Sequence, residues 1–300
     1  MFVMRTNFII ANMNDFKRSF LFIVILVFVL AGCNNAGVET EYPETRILGH
    51  RGSGHTSEEF QENTFSSVIN AFKWLDGAEA DIQCSKDGTI WLFHDASLPG
   101  NELLCVPGAT DRELDELSRE SENFTITRLE EIFEYMIQME ETPVLSLDVK
   151  GHFTNGCFET DNAPNSYFDL MAQSLSDLLA LYPLHAHVVV ETDYVYFLDL
   201  IKEQEPQLEL YLLGYRNFRE RIEKALEKGY QGISYNFKDE FLTHEEIELA
   251  RQNGLKVQLW TIYTQNDMEV ALSWKPAFIQ TGNIQAAEIF LSMTNENQGN

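Results

Sequence analysis

The sequence is poor in basic residues and in cysteine, and both shortages exclude classes of protein. Its 300 residues include 21 Lys and Arg against 47 Asp and Glu, which gives a net charge of −26. An acidic surface repels the nucleic-acid backbone, so we expect no binding of DNA or RNA. The 4 cysteines form no CxxC pair, which argues against a zinc cluster and against thioredoxin-like redox chemistry.

Proline and glycine are also scarce, at 8 and 17 residues, whereas 44% of the chain is hydrophobic and 12% is aromatic. This composition is typical of a folded chain and excludes a disordered protein, a collagen-like chain and a coiled coil. A length of 300 residues is ordinary for a single α/β barrel.

One long hydrophobic run is present, at residues 20–31, and two basic residues, Lys17 and Arg18, precede it. It has the length of a signal peptide and is short for a bilayer span. The run ends in Leu30-Ala31-Gly32-Cys33, which resembles the bacterial lipoprotein cleavage box. We expect a signal peptide over 1–32, lipid on the Cys33 thiol, and a polar tether over 33–45. The chain would then be exported and membrane-anchored, in the bacterial periplasm or at the cell surface. An uncleaved anchor helix is the alternative.

Three cysteines remain once Cys33 is assigned to lipid. Cys105 and Cys157 both lie in loop-like segments that carry Gly, Asn or Pro, and an exported chain can hold disulfides. These two are therefore the candidate pair for a bridge. Cys84 lies near the end of a predicted strand, where a buried thiol is expected.

From residue 46 onwards, short β-branched runs alternate with amphipathic helical patterns. Strands are predicted at residues 46–50, 78–82, 144–149, 187–191, 208–213, 231–236, 256–261 and 277–281. Eight strands with helices between them, over about 250 residues, predict an α/β fold of the (β/α)₈ TIM-barrel type. An open doubly wound sheet is the alternative. Residues 83–127 break the alternation and predict a small insertion after the second strand, within a single domain at 46–295.

Acidic residues lie where the predicted strands end, and barrels carry their chemistry at those ends. Glu79 and Asp81 are two residues apart on the second strand, so their side chains share one face. Asp148 ends the third strand. Three inward carboxylates repel each other unless a cation lies among them, so we expect a divalent cation, Mg²⁺ or Ca²⁺.

Histidines and basic residues follow the same strand ends. His50 comes directly after the first strand and His94 after the predicted hairpin, and histidines exchange protons near neutral pH. Arg51 and Lys150 supply local positive charge that suits a phosphate group. The set indicates metal-assisted cleavage of a phosphodiester. Proton abstraction beside a carbonyl, as in enolase-type barrels with carboxylate-bound Mg²⁺, is the competing interpretation.

Several short motifs occur in a fixed order along the chain. They begin at His50 (His-Arg-Gly), Glu62 (Glu-Asn-Thr), Glu79 (Glu-Ala-Asp), Lys86 (Lys-Asp-Gly), His94 (His-Asp), Asp148 (Asp-Val-Lys) and Trp260 (Trp-Thr). In order and spacing they resemble the glycerophosphodiester phosphodiesterase family, over roughly residues 46–282.

This resemblance implies a TIM barrel that hydrolyses glycerophosphodiesters to glycerol 3-phosphate and an alcohol. It implies catalytic roles for His50 and His94, metal ligation by Glu79, Asp81 and Asp148, and substrate or phosphate contacts from Arg51, Lys150 and Trp260, with Glu62 a further candidate beside the metal. The partner would be a small-molecule diester, with membrane contact through the lipid anchor only. The alternatives are a related barrel phosphodiesterase acting on phosphoinositides or lysophospholipids, and a non-catalytic phosphodiester-binding lipoprotein.

The chain departs from the family pattern in a longer gap between the His-Arg-Gly and Glu-Asn-Thr motifs and at three sets of residues. Asp148 stands where the family usually has Glu, and Glu191-Thr192 stands where it often has Ser-Phe. Thr281-Gly282-Asn283 lacks the acid and the proline of the family's late motif. We expect these departures to affect the preference for the alcohol more than the type of reaction.

Overall fold

The computed structural model describes residues 45–54, 57–100, 104–152, 163–285 and 287. These residues belong to one unit, Glu44–Asn300. The predicted signal peptide and almost all of the predicted tether, including Cys33, lie outside the described ranges. Among the described residues, no helix combines the length and the apolar character that a bilayer span requires.

Parallel strands close into a barrel. In the described part of the chain the strands are β1 (Arg46–Gly49), β2 (Gly77–Cys84), β3 (Ile90–Leu92), β4 (Thr127–Arg128), β5 (Val144–Val149), β6 (Val188–Thr192), β7 (Glu209–Gly214), β8 (Gly232–Asn236), β9 (Lys256–Ile262) and β10 (Phe278–Thr281). All except β3 and β4 pair in parallel, and β1 closes the sheet by pairing with both β2 and β10. The TIM-barrel prediction is confirmed. The first and last residues of each predicted strand lie within two residues of those of the observed strand.

Helices cover the outside of the barrel. Those among the described residues are α1 (Phe65–Trp74), α2 (Asp111–Glu120), α3 (Leu129–Met136), α4 (Ala163–Leu181), α5 (Val195–Gln204), α6 (Phe218–Lys228), α7 (His244–Gln252) and α8 (Gln265–Ser273). Threonines begin several of them: the side chains of Thr64, Thr110 and Thr243 each accept a hydrogen bond from the backbone N–H three residues on. Such caps satisfy backbone donors that the first helical turn leaves without partners.

The insertion after β2 forms a small layer of its own. Strand β3 pairs antiparallel with β2, and β4 pairs antiparallel with β3. A separate apolar cluster that includes Trp91, Leu114 and Phe124 packs beneath it. Cys105 of this insertion is disulfide-bonded. Its predicted partner, Cys157, lies outside the described residues, and Cys84 is a buried free thiol as predicted.

Asp111 joins the insertion's hairpin to helix α2. Its carboxylate accepts hydrogen bonds from Ser85 Oγ at 2.6 Å, from Trp91 Nε1 at 3.1 Å, and from the Thr89 hydroxyl. Burial acts to raise the pKa of Asp111, but these hydrogen bonds lower it below its usual value. The ionised form of Asp111, held by these three hydrogen bonds, therefore stabilises the fold.

Side chains inside the barrel change from apolar to polar along the strands. Val144 and Val189 belong to an internal apolar cluster that also contains Leu48, Tyr211 and Phe278. Two residues further along the same strands lie Ser146 and Glu191, joined by a hydrogen bond of 3.1 Å. The apolar cluster thus closes one end of the barrel interior. Ser146 and Glu191 belong to a polar layer that faces the opposite end of the barrel.

Candidate active site

A tight turn after β1 positions His50 and Arg51. Arg51 has φ 54° and Gly52 has φ 84°, both in the left-handed region. A Cβ at Gly52 would lie 2.4 Å from Ser67 Oγ, so the turn requires glycine there. The turn directs the backbone N–H of Arg51 onto Glu79 Oε2 at 2.9 Å, and the His-Arg-Gly and Glu-Ala-Asp motifs are thereby joined.

The three predicted metal ligands lie together. Glu79 and Asp81 of β2 and Asp148 of β5 each offer a carboxylate oxygen within 4.8 Å of the others, and no other such group occurs among the described residues. Glu79 is 1% exposed, and its Oε1 makes no hydrogen bond to any described residue. An unpartnered buried carboxylate oxygen beside two further carboxylates fits a hard divalent cation.

The protonation of these carboxyls reflects their crowding. Burial, together with Asp81, Glu191 and Asp148, raises the pKa of Glu79 well above its usual range. Burial acts in the same direction on Asp81, but Lys150 and Arg51 outweigh it and hold the pKa of Asp81 below its usual range. A cation at this cluster would favour the ionised form of all three carboxyls.

The two basic residues lie directly against the carboxylates. Lys150 Nζ is 2.9 Å from Asp81 Oδ1 and 2.6 Å from Asp148 Oδ2. Arg51 Nε is 3.2 Å from Asp81 Oδ2. Although burial opposes it, Asp148 and Asp81 raise the pKa of Lys150. Both groups therefore remain cationic, as contacts for a phosphate require.

Glu62 contacts Arg51 and lies outside the carboxylate cluster. Its Oε1 is 2.9 Å from an Arg51 guanidinium nitrogen, and its side chain is 30% exposed. The next residue, Asn63, donates to Asp81 Oδ2 at 2.8 Å and accepts from the Asp81 N–H at 3.0 Å. The Glu-Asn-Thr motif thus orients Arg51 and Asp81 from the start of helix α1.

The two predicted catalytic histidines line one cavity. His50 Nε2 lies 3.7 Å from Glu79 Oε2. His94 Nδ1 lies 2.8 Å from Asp95 Oδ1, an arrangement that orients the ring. The segment is fixed on β2, because the side chain of Gln83 donates to the carbonyl oxygens of Phe93 and Asp95 at 3.0 and 2.9 Å.

The cavity has a volume of about 370 Å³. The predicted residues that line it are His50, Arg51, His94, Asp148, Lys150 and Trp260. Glu79 and Asp81 lie beneath them in contact with His50, Arg51 and Lys150. The fold therefore brings together the predicted site residues of the barrel. A larger surface cavity of about 570 Å³, beside Ser53, Glu58 and Trp74, contains none of them.

Sequence reasoning missed several residues around this cavity. Glu191, Tyr215, Tyr263 and Gln280 line it, and His152 Nε2 lies 2.6 Å from the backbone oxygen of His94. Glu191 and Gln280 each lie near the end of a predicted strand. The same position near a strand end identified Asp148 as a candidate, so this pattern could have found them. Tyr215 and His152 lie in loops and carry no such signal.

Glu191 is the most perturbed of these additional groups. Burial, together with the nearby Asp148, raises the pKa of Glu191 to about 7. Its position is directly paired with Asp148 across β5 and β6. The cavity thus has a further acidic group beside Asp148.

Known proteins resemble this chain over most of the barrel. Residues 50–286 match the family model described as the glycerophosphoryl diester phosphodiesterase family. A curated protein of Caldanaerobacter subterraneus subsp. tengcongensis, named glycerophosphodiester phosphodiesterase, is 23% identical over 234 residues, which cover 75% of this chain and 89% of the relative.

Solved structures share the fold. A glycerophosphodiester phosphodiesterase from Parabacteroides distasonis superimposes with a TM-score of 0.68 at 18% identity, covering 84% of this chain and 98% of its own. A phosphodiesterase from Oleispira antarctica, solved in complex with the product sn-glycerol-3-phosphate, gives a TM-score of 0.66 at 17% identity, covering 83% of this chain and 96% of its own.

Proposed function

The chain belongs to the glycerophosphoryl diester phosphodiesterase family, and on this basis we propose that it hydrolyses glycerophosphodiesters to glycerol 3-phosphate and an alcohol, with a divalent cation and two histidines. The observation that carries the proposal is the buried cluster of Glu79, Asp81 and Asp148, whose oxygens lie within 4.8 Å of one another beneath a cavity lined by both histidines. The product found in the Oleispira antarctica relative is the one expected here.

Glu79, Asp81 and Asp148 would hold the cation, Mg²⁺ or Ca²⁺, because hard divalent ions prefer carboxylate oxygens. When bound, such a cation stabilises negative charge on phosphoryl oxygens. The unpartnered Oε1 of Glu79 supports this assignment, since a buried carboxylate oxygen is costly without a partner.

The chain's own residues perform the remaining tasks. Arg51 and Lys150 bind phosphate oxygens from the side of the cavity that carries Asp81. Of His50 and His94, one takes the proton from the attacking oxygen and the other gives a proton to the leaving alcohol, which is the usual division between a general base and a general acid. Trp260 forms part of the cavity wall against which the substrate lies.

We also propose that the enzyme is exported and held on a membrane through lipid on Cys33. The support is the hydrophobic run at 20–31 followed by Leu30-Ala31-Gly32-Cys33. An anchored barrel with an acidic surface would act on small diesters that diffuse to it.

The first experiment incubates the purified protein with glycerophosphocholine, glycerophosphoethanolamine, glycerophosphoinositol and, separately, a lysophospholipid. Each substrate is tested with Mg²⁺, with Ca²⁺ and with a chelator. Glycerol 3-phosphate is quantified, and the His94→Ala variant controls for contaminating enzymes. Cation-dependent product that the variant does not form is expected. Turnover of lysophospholipids alone would reassign the protein to a related phosphodiesterase. Diester binding without product at high enzyme concentration would favour a binding lipoprotein.

A further inference from the structure

The carboxylate of Glu191 has no role in the proposed cation site. Glu191 is 1% exposed and lies on β6 at the position paired with Asp148. Among the described residues, however, the group of candidate metal ligands comprises Glu79, Asp81 and Asp148 alone. Burying a further acidic side chain is costly, so its presence at the floor of the cavity requires a partner.

The two carboxylate oxygens of Glu191 differ in their hydrogen bonds. Oε1 accepts hydrogen bonds from Gln280 Nε2 at 2.6 Å and from Ser146 Oγ at 3.1 Å. Ser234 is a further hydrogen-bond donor to this carboxyl and lowers its pKa. Oε2 itself is buried, and no described residue lies in hydrogen-bond geometry with it. The carboxylate is therefore fixed in orientation, with one acceptor oxygen available to a donor from outside the barrel wall.

The cavity distinguishes a closed polar end from an open aromatic end. Glu191 and Gln280, which is 2% exposed, lie at the closed end. Tyr215, whose ring lies edge-on to Trp260 at 5.7 Å, is 51% exposed and marks the open end. A diester whose phosphate contacts Lys150, which lines the same cavity, would direct one arm towards the buried pair and the other towards solvent.

The glycerol arm suits the closed end. It is short and carries two hydroxyl donors, and the hydroxyl on its middle carbon is the nearer one to phosphorus. The terminal hydroxyl is one carbon further away and is the group that reaches deepest. We propose that Glu191 Oε2 accepts a hydrogen bond from the terminal hydroxyl of the glycerol arm, which makes Glu191 a specificity-determining residue. This inference rests on the proposed function. It adds a contact by which the enzyme distinguishes the glycerol arm of the diester from the alcohol arm.

The inference predicts discrimination by the unaltered enzyme. We compare glycerophosphocholine with an analogue that lacks only the terminal hydroxyl, propane-1,2-diol 1-phosphocholine (2-hydroxypropyl phosphocholine). The assay is run at about pH 9, where a carboxyl with a pKa of about 7 is ionised. The lost hydrogen bond to this charged group then makes kcat/KM for the analogue about 10- to 100-fold lower. Equal kcat/KM values for the two compounds would overturn the inference and leave the hydrolytic function intact.

A variant connects the discrimination to Glu191. In Glu191→Gln the acceptor loses its charge, and charge-assisted hydrogen bonds are about twice as strong as neutral ones. The ratio of the two kcat/KM values is expected to fall at least about fivefold. The control Glu223→Gln, at an exposed position of helix α6, keeps the original ratio. Discrimination that survives unchanged in a folded Glu191→Gln protein would assign the hydroxyl contact to another residue.

Binding separates this inference from the proposed function. If neither diester is turned over, calorimetric titration compares glycerol 3-phosphate with its analogue lacking the terminal hydroxyl. Weaker binding of the analogue by about 10- to 100-fold supports the contact in the absence of turnover. Equal affinities overturn it, and binding of neither compound overturns both proposals.

Discussion

Asp81 and Asp148 occupy directly paired positions on the neighbouring parallel strands β2 and β5. The ammonium of Lys150 lies within 3 Å of both carboxylates, at 2.9 and 2.6 Å. Parallel strands place residues of equal register at the same height, so two acids far apart in sequence become adjacent. This pairing concentrates negative charge at one point of the barrel mouth, where a cationic group offsets it.

The first prediction concerns the cation. Exhaustive chelation is expected to abolish hydrolysis, and added Mg²⁺ or Ca²⁺ to restore it. Asp148→Asn should weaken cation binding about 10- to 100-fold, because a neutral amide replaces a charged ligand. Calorimetric titration of the ion measures this, with Glu223→Gln as the control. Full activity after chelation would contradict a catalytic role for the ion.

The second prediction concerns the histidines. His50→Ala and His94→Ala are each expected to lower kcat at least about a hundredfold, the usual scale for the loss of a general acid or base. The exposed residue His244 on α7 provides the control variant His244→Ala, which should retain activity. Steady-state kinetics make the comparison. A loss below about tenfold would remove that histidine from the mechanism.

The third prediction concerns Glu62, which we place as an orienting partner of Arg51. Glu62→Gln is expected to raise KM about three- to tenfold with little change in kcat, because a partly exposed ion pair contributes little energy but fixes the guanidinium. Arg51→Lys should cost more in kcat/KM, since an ammonium lacks the planar fork that binds two phosphate oxygens. Loss of cation affinity in Glu62→Gln would instead indicate that Glu62 binds the metal.

The fourth prediction concerns stability. Asp111→Asn is expected to lower the free energy of unfolding by about 1–2 kcal/mol at pH 7, because the hydrogen bonds from Ser85, Thr89 and Trp91 lose a charged acceptor. The folded-state pKa of Asp111 lies below its unfolded value, so this stability is present above about pH 4 and declines as pH falls through the folded-state pKa. Urea unfolding at pH 7 and pH 3 measures it. A difference from the parent protein that stays constant with pH would rule out stabilisation by the ionised carboxylate.

The fifth prediction concerns the anchor. Cys33→Ala is expected to eliminate fatty-acid labelling and to release the protein from the membrane fraction, because the thiol that would carry the lipid is missing. Labelling of cells with a radioactive fatty acid, followed by fractionation, measures both. Continued labelling of the variant would contradict the lipoprotein proposal.

Local sequence patterns predicted the barrel because its strands are short runs with strong β preference. Segments such as 144–149 keep their predicted bounds in the structure as β5, Val144–Val149. The carboxyl-terminal placement of Asp148 then follows from chain order, since all barrel strands end on one face. Glu191 shows where this reasoning stops. Its place at the end of β6 follows from the sequence, but the orientation of its carboxylate depends on hydrogen bonds from Ser146 and Gln280, which lie on two other strands.

The sequence by itself determined the alternation of strands and helices, the motif order and the residue types of the site, because these depend on local preference and on which chemical groups the chain carries. Only the tertiary structure decided that Glu62 contacts Arg51 instead of the carboxylate cluster and that Lys150 bridges Asp81 and Asp148. It also decided that Glu191 Oε2 has no hydrogen-bond geometry with any described residue. The physical reason is that hydrogen bonds and ion pairs act over a few ångströms, and barrel closure sets those distances between residues that the sequence separates by tens of positions.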